Sequence, residues 1–100
     1  MFAKVASTKD LSPGEMIGVE SGGKMILLAN VGGKYYAMGN KCTHRGCKLN
    51  EGTLNGDQLR CRCHGSTFDV KTGGLVKGPA KEPEPAYQVK VEGDQIQVNV

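Results

Sequence analysis

Both histidines and all four cysteines of this 100-residue chain fall within two short segments. These are Cys42-Thr43-His44-Arg45-Gly46-Cys47 and Cys61-Arg62-Cys63-His64-Gly65-Ser66. Cysteine thiolates and histidine imidazoles are ligands for iron and zinc. Each segment offers one thiolate and one imidazole, with one cysteine to spare. In an extended chain Cys42 and His44 project to the same side, and a tight turn gathers Cys61 and His64. Two sulfurs and two ring nitrogens can hold zinc tetrahedrally. They can equally hold a two-iron cluster, with the sulfurs on one iron and the nitrogens on the other. Structural zinc sites usually draw on two pairs of more widely spaced cysteines, and Cys42-x-His44 is tighter than that. A disulfide-stapled domain with two surface histidines is the third reading, and it leaves their position beside the cysteines unexplained.

The elements that must position these segments read as strands. Fifteen glycines and four prolines leave no window for an amphipathic helix of three turns. Short runs rich in Val, Ile, Leu and Tyr alternate with turn signals instead. Met25 to Ala29 and Lys34 to Met38 flank Asn30-Val31-Gly32-Gly33, which predicts a hairpin. Leu54 and Leu59 flank Asn55-Gly56-Asp57-Gln58, a second tight reversal. Val89 and Val91 lead through Glu92-Gly93-Asp94 to Ile96, Val98 and Val100, a third with clear alternation. Phe2 to Ala6 and Met16 to Val19 are weaker strand candidates, and Lys81 to Pro85 reads as a polar, proline-broken connection. The expected fold is all-β, a small antiparallel sandwich or partly open barrel. The cysteine-histidine segments then sit at strand ends, after Met38 and after Leu59, where Gly46 and Gly65 turn the chain back. Met25, Leu27, Tyr36 and Met38 are expected in the core.

Length predicts one domain over residues 1–100, with a modest core that calls for covalent or metal reinforcement. No apolar run approaches a membrane span, and Met1 to Val5 has no signal-peptide character. A cytoplasmic protein without membrane or nucleic-acid partners is expected, since a net charge of +3 is too small for a nucleic-acid binder. The placement of charge says more than its sum. Between Lys41 and His64 stand five basic residues, Lys41, Arg45, Lys48, Arg60 and Arg62, against two acidic ones, Glu51 and Asp57. Such an excess forms either a solvated basic face or a docking surface for an acidic partner.

Cys-x-His followed by Cys-x-x-His, with Ser66-Thr67-Phe68-Asp69 and Gly78-Pro79-Ala80 downstream, resembles the Rieske [2Fe–2S] protein family. The cluster-binding segment would span about residues 40–82. The resemblance implies that Cys42 and Cys61 bind the inner iron of one [2Fe–2S] cluster, and that His44 and His64 bind the outer iron. It implies that Gly78-Pro79-Ala80 shields the cluster as a third loop, and that Ser66 donates to a bridging sulfide. Cys47 and Cys63 resemble the pair that forms a disulfide between the ligand loops in a subset of the family. Neutral imidazoles in place of thiolates leave the cluster less negative, which places such potentials between about −150 and +300 mV. Imidazoles on ferric iron lose their ring protons more readily, so the potential is expected to fall as pH rises.

Two functions follow from the resemblance. One is a soluble Rieske-type ferredoxin, a monomeric electron carrier rather than an enzyme, working between a reductase and an oxygenase or other oxidoreductase. The other is the head of a quinol-oxidising Rieske subunit, favoured by Ser66 and the spare cysteines. Phe68 argues for the carrier, because high-potential members have a tyrosine hydroxyl there that donates to a ligand sulfur. Arg45 argues the same way, because quinol-oxidising members have an apolar residue in that position. An unpaired guanidinium in an apolar pocket is costly. An intermediate potential is therefore expected.

Overall fold

The computed structural model describes residues 2–42, 46–63 and 65–99. His44, Arg45 and His64 lie outside the described residues, as does Val100. Among the described residues eleven strands form three antiparallel sheets. The first sheet holds β1 (Phe2–Ser7), β11 (Gln95–Asn99) and β10 (Val89–Glu92), in that order. The second orders β2 (Met16–Ser21), β3 (Lys24–Val31), β4 (Lys34–Gly39) and β9 (Ala86–Tyr87). The third is a meander of β5 (Thr53–Asn55), β6 (Gln58–Arg60), β7 (Thr67–Asp69) and β8 (Leu75–Lys77). Among the described residues no sheet closes into a barrel. Helical structure among the described residues is limited to single 3-10 turns at Thr8–Asp10 and Leu49–Glu51.

The middle sheet explains the sequence pattern of β3. Leu27, Ala29 and Met38 face one buried cluster, with Leu59 and Phe68 of the third sheet and Val70 just after β7. Ile26, Leu28 and Ala37 face the other, with Ile96 and Val98 of the first sheet. A strand buried on both faces has no solvent side to alternate with, so Met25 to Ala29 is continuously apolar. Of the four expected core residues, Leu27 and Met38 are fully buried, whereas Met25 and Tyr36 are half-buried.

All three expected hairpins form, each with a tighter turn than its flanking polar residues suggest. β3 runs on through Asn30 and Val31, leaving only Gly32 and Gly33, both at positive φ, to reverse the chain. Two consecutive positive φ values are the geometry that suits the twist of a two-residue hairpin. Asn30 is buried because its amide donates to the Leu11 carbonyl and accepts from the Gly33 N–H. In the last hairpin Val91 pairs with Ile96, as the alternation predicts. Val91 is nonetheless 43% exposed, because β10 is the edge of its sheet.

Candidate cluster-binding site

Cys42 follows β4, and Cys61 follows β6. The described ends of the two segments are hydrogen-bonded alike. The Cys42 N–H donates to the Cys47 carbonyl at 2.8 Å, and the Gly46 N–H donates back to the Cys42 carbonyl at 2.8 Å. In the second loop the Cys61 N–H donates to the Ser66 carbonyl at 2.7 Å, and the Gly65 N–H to the Cys61 carbonyl at 3.0 Å. Each loop thus opens on a cysteine and closes five residues later, with a glycine at φ 76° or 81° in its fourth following position. That left-handed conformation is one a side chain rarely tolerates, which is why both segments carry glycine there.

Both loop-opening cysteines are buried, Cys42 at 4% and Cys61 at 2% exposure, in one core cluster with Leu49, Leu59, Phe68 and Ala80. Neither is in a disulfide. The spare cysteines are joined as Cys47–Cys63, which ties one loop to the other. The sulfurs of Cys47, Cys61 and Cys63 lie within 4.8 Å of one another, so the staple sits against the Cys61 thiol. With two of the four thiols consumed, a four-thiolate site cannot form. Among the described residues this leaves Cys42 and Cys61, which fits a centre whose remaining donors are imidazoles.

The matching family model is the Rieske [2Fe-2S] domain, over residues 1–97. The chain belongs to this family. Its relatives include the ferredoxin component of biphenyl 2,3-dioxygenase from Rhodococcus jostii (strain RHA1), 40% identical across 99% of this chain and 92% of that protein. Among solved structures, the ferredoxin of carbazole 1,9a-dioxygenase from Nocardioides aromaticivorans IC177 superposes with a TM-score of 0.93 at 30% identity. That match covers 98% of this chain and 96% of the other. A chain in the complex of reduced oxygenase and oxidised ferredoxin of carbazole 1,9a-dioxygenase matches with a TM-score of 0.91 at 34% identity. It covers 97% of this chain and 91% of that one.

The Rieske chain braces its loops with residues that spacing alone did not reveal. Asn40, buried two residues before Cys42, donates its amide to Asn50 Oδ1 at 2.8 Å and accepts the Asn50 N–H at 2.9 Å. The pair clasps the first loop from both ends. Two asparagines just outside a cysteine segment were the only signal, but asparagine so often marks an exposed turn that the clasp was not legible. Ser66 is fully buried, and its Oγ accepts the Ala80 N–H at 3.0 Å. Gly78-Pro79-Ala80 is therefore fastened to the second loop through Ser66. Gly78-Pro79 is a cis peptide, and Ala80 is buried.

The basic residues surround the loops at the surface. Lys41, Lys48, Arg60 and Arg62 are all exposed. Lys41 and Lys48 stand opposite each other in the antiparallel bridge that closes the first loop, a like-charge pairing that disfavours folding. The Arg60 guanidinium lies over Gly65, 3.3 Å from where a Cβ would be. Arg60 and Arg62 line an open groove of about 470 Å3 beside Cys61 and Cys63. Of the two nearby acids, Asp57 is engaged with Lys71 at 3.5 Å. No helix among the described residues is long and apolar enough to cross a membrane.

The segment from Lys81 to Pro85 is the expected connection without regular structure, and one of its residues turns inward. Glu84 is 4% exposed, the one buried acid among the described residues. Its N–H donates to the Gly73 carbonyl at 2.8 Å, and the Pro85 carbonyl accepts the Gly39 N–H at 2.9 Å. These bonds hold the segment against Gly73 and the end of β4, while Lys81, Glu82, Pro83 and Pro85 stay exposed.

Proposed function

We propose that this chain is a monomeric, cytoplasmic one-electron carrier holding one [2Fe–2S] cluster. It acts between a reductase and an oxygenase or another oxidoreductase, and it is not an enzyme on its own. The observation that carries this reading is the pair of matched loops, each presenting one buried cysteine while a disulfide holds the other two. Cys42 and Cys61 would supply thiolates to one iron, and His44 and His64 would supply imidazoles to the other. When bound, such a cluster accepts and returns a single electron at a potential raised by its neutral ligands. The residues around it hold the ligands still and control their surroundings. The Asn40–Asn50 clasp and the disulfide fix the loops, and the core below excludes water. Ser66, whose oxygen already accepts from Ala80, keeps its own proton to donate toward a cluster sulfur. Lys41, Lys48, Arg60 and Arg62 would receive an acidic face on a redox partner. Relatives named as ferredoxin components of dioxygenase systems support the carrier role.

The Cys47–Cys63 disulfide favours a second reading, a quinol-oxidising head, because the subset resembled in those cysteines includes such heads. A redox titration of the purified protein followed by EPR separates the two. The expected result is two irons per chain, a rhombic signal on reduction with average g below the free-electron value, and a low or middling midpoint. A midpoint near the top of the Rieske range would favour quinol oxidation. Zinc in place of iron, with no signal, would remove electron transfer altogether.

A further inference from the structure

A disulfide is an electrophile as well as a staple, since a thiolate can attack one sulfur and displace the other. Access to the attacked sulfur helps set the rate, and reactive sulfurs sit in electropositive, partly exposed surroundings. The Cys47–Cys63 bond joins two unlike residues. Cys63 is exposed and Cys47 half-buried, so an incoming thiol meets Cys63 first. Cys63 also lines the open groove of about 470 Å3 that it shares with Thr53, Arg60, Cys61, Arg62 and Gly65.

Among the described residues no acidic side chain lines that groove. Arg60 and Arg62 are both exposed, and among the described residues neither forms an ion pair. Arginine stays protonated at every pH a protein meets, so the approach to Cys63 is positive throughout. Fixed charge of one sign at a cleft raises the encounter rate of ions of the other sign.

We propose that Cys63 is a modification site for anionic low-molecular-weight thiols such as glutathione, selected by Arg60 and Arg62. The proposal concerns the staple and does not depend on the cluster reading. The thiolate sulfur of glutathione attacks Cys63 Sγ and forms a new S–S bond, while the Cys47–Cys63 bond breaks. The electron pair of the broken bond leaves on Cys47 Sγ, which takes a proton from water. One disulfide replaces another, so no further oxidant or reductant is consumed. The product is a glutathionylated Cys63, with the two loops no longer tied. Both charges are exposed and screened by salt, so the selection is about tenfold at low ionic strength, the lower end of electrostatic steering.

The test mixes the oxidised protein with glutathione, uncharged 2-mercaptoethanol or cationic cysteamine, with acid quenching at intervals. Alkylation and peptide mass mapping then locate the adduct and the released thiol. The adduct is expected on Cys63 and the thiol on Cys47. Arg60→Gln with Arg62→Gln should slow glutathione about tenfold at low salt, leave 2-mercaptoethanol unchanged and quicken cysteamine. Following one thiol across two proteins cancels that thiol's own reactivity. Arg60→Lys with Arg62→Lys keeps the charge and should stay close to the parent. Should the glutamine variant fail to fold, the parent reads the same charge: rising salt must slow glutathione and quicken cysteamine. Equal rate changes for all three thiols, or parent rates indifferent to salt, would overturn the selection. An adduct on Cys47, or no adduct from any thiol, would overturn the site.

Discussion

Ser66 and Phe68 lie two positions apart in the chain, both without solvent exposure, and they differ in what they can offer a buried centre. The serine hydroxyl is oriented by the Ala80 amide that it accepts. Phe68 offers only an apolar ring packed with Leu59 and Val70. Phe68→Tyr places a hydroxyl in a dry core, where an unmet donor costs about 1–3 kcal/mol. If that hydroxyl meets a cluster sulfur, its bond strengthens as the electron arrives. The midpoint should then rise by about 1 kcal/mol of differential stabilisation, or roughly fivefold in the equilibrium. A potential titration alongside urea denaturation checks this. Lost stability without an upward shift would mean that the hydroxyl has no sulfur in reach.

Among the elements, β3 makes the sharpest prediction. Leu27 and Leu28 are adjacent and fully buried, yet they belong to different cores. Leu27→Ala and Leu28→Ala should each destabilise by about 2–5 kcal/mol, measured by urea denaturation. Only Leu27→Ala should also speed the loss of iron, because Leu27 shares its cluster with Cys42 and Cys61. Equal iron loss from both would mean that the two cores are not separate supports. The same strand shows how far the sequence was legible. The three hairpins could be read because glycine between two apolar runs fits a tight reversal better than it fits the interior of a strand. Strands β7, β8 and β9 were not foreseen, since they are three residues or fewer and lack the Asn-Gly-Asp reversal that reveals the equally short β5 and β6. The second face of β3 was hidden for a related reason: a continuous apolar run fits one buried face or two until the partner sheets are known. At the site, the types and spacing of Cys42, His44, Cys61 and His64 pointed to the family without any structure. Glu84 could not be found in the same way. A glutamate between two prolines reads as a polar connection, and only its burial in the fold shows that it turns inward.

The molecule as a whole is a stack of three sheets, with its excess of positive charge gathered around the cysteine loops. Lys41 and Lys48 face each other across a bridge, at some cost to folding, which weighs toward docking over a merely solvated face. Association with an acidic redox partner should slow by about tenfold or more as ionic strength rises, read by stopped-flow electron transfer. Lys48→Glu with Arg62→Glu should slow association at low salt and flatten that dependence, with the midpoint of the isolated protein little changed. A rate indifferent to salt would assign these residues to simple solvation. The staple between the loops has a practical side as well. Its Cys63 residue is exposed and its Cys47 residue only half-buried, so a small thiol is expected to reduce the bond without unfolding the chain. Protein purified in dithiothreitol and protein purified without it would then be two distinct covalent species, told apart by mass after thiol alkylation, and a shelf-life, melting point or cluster content measured on one would not transfer to the other.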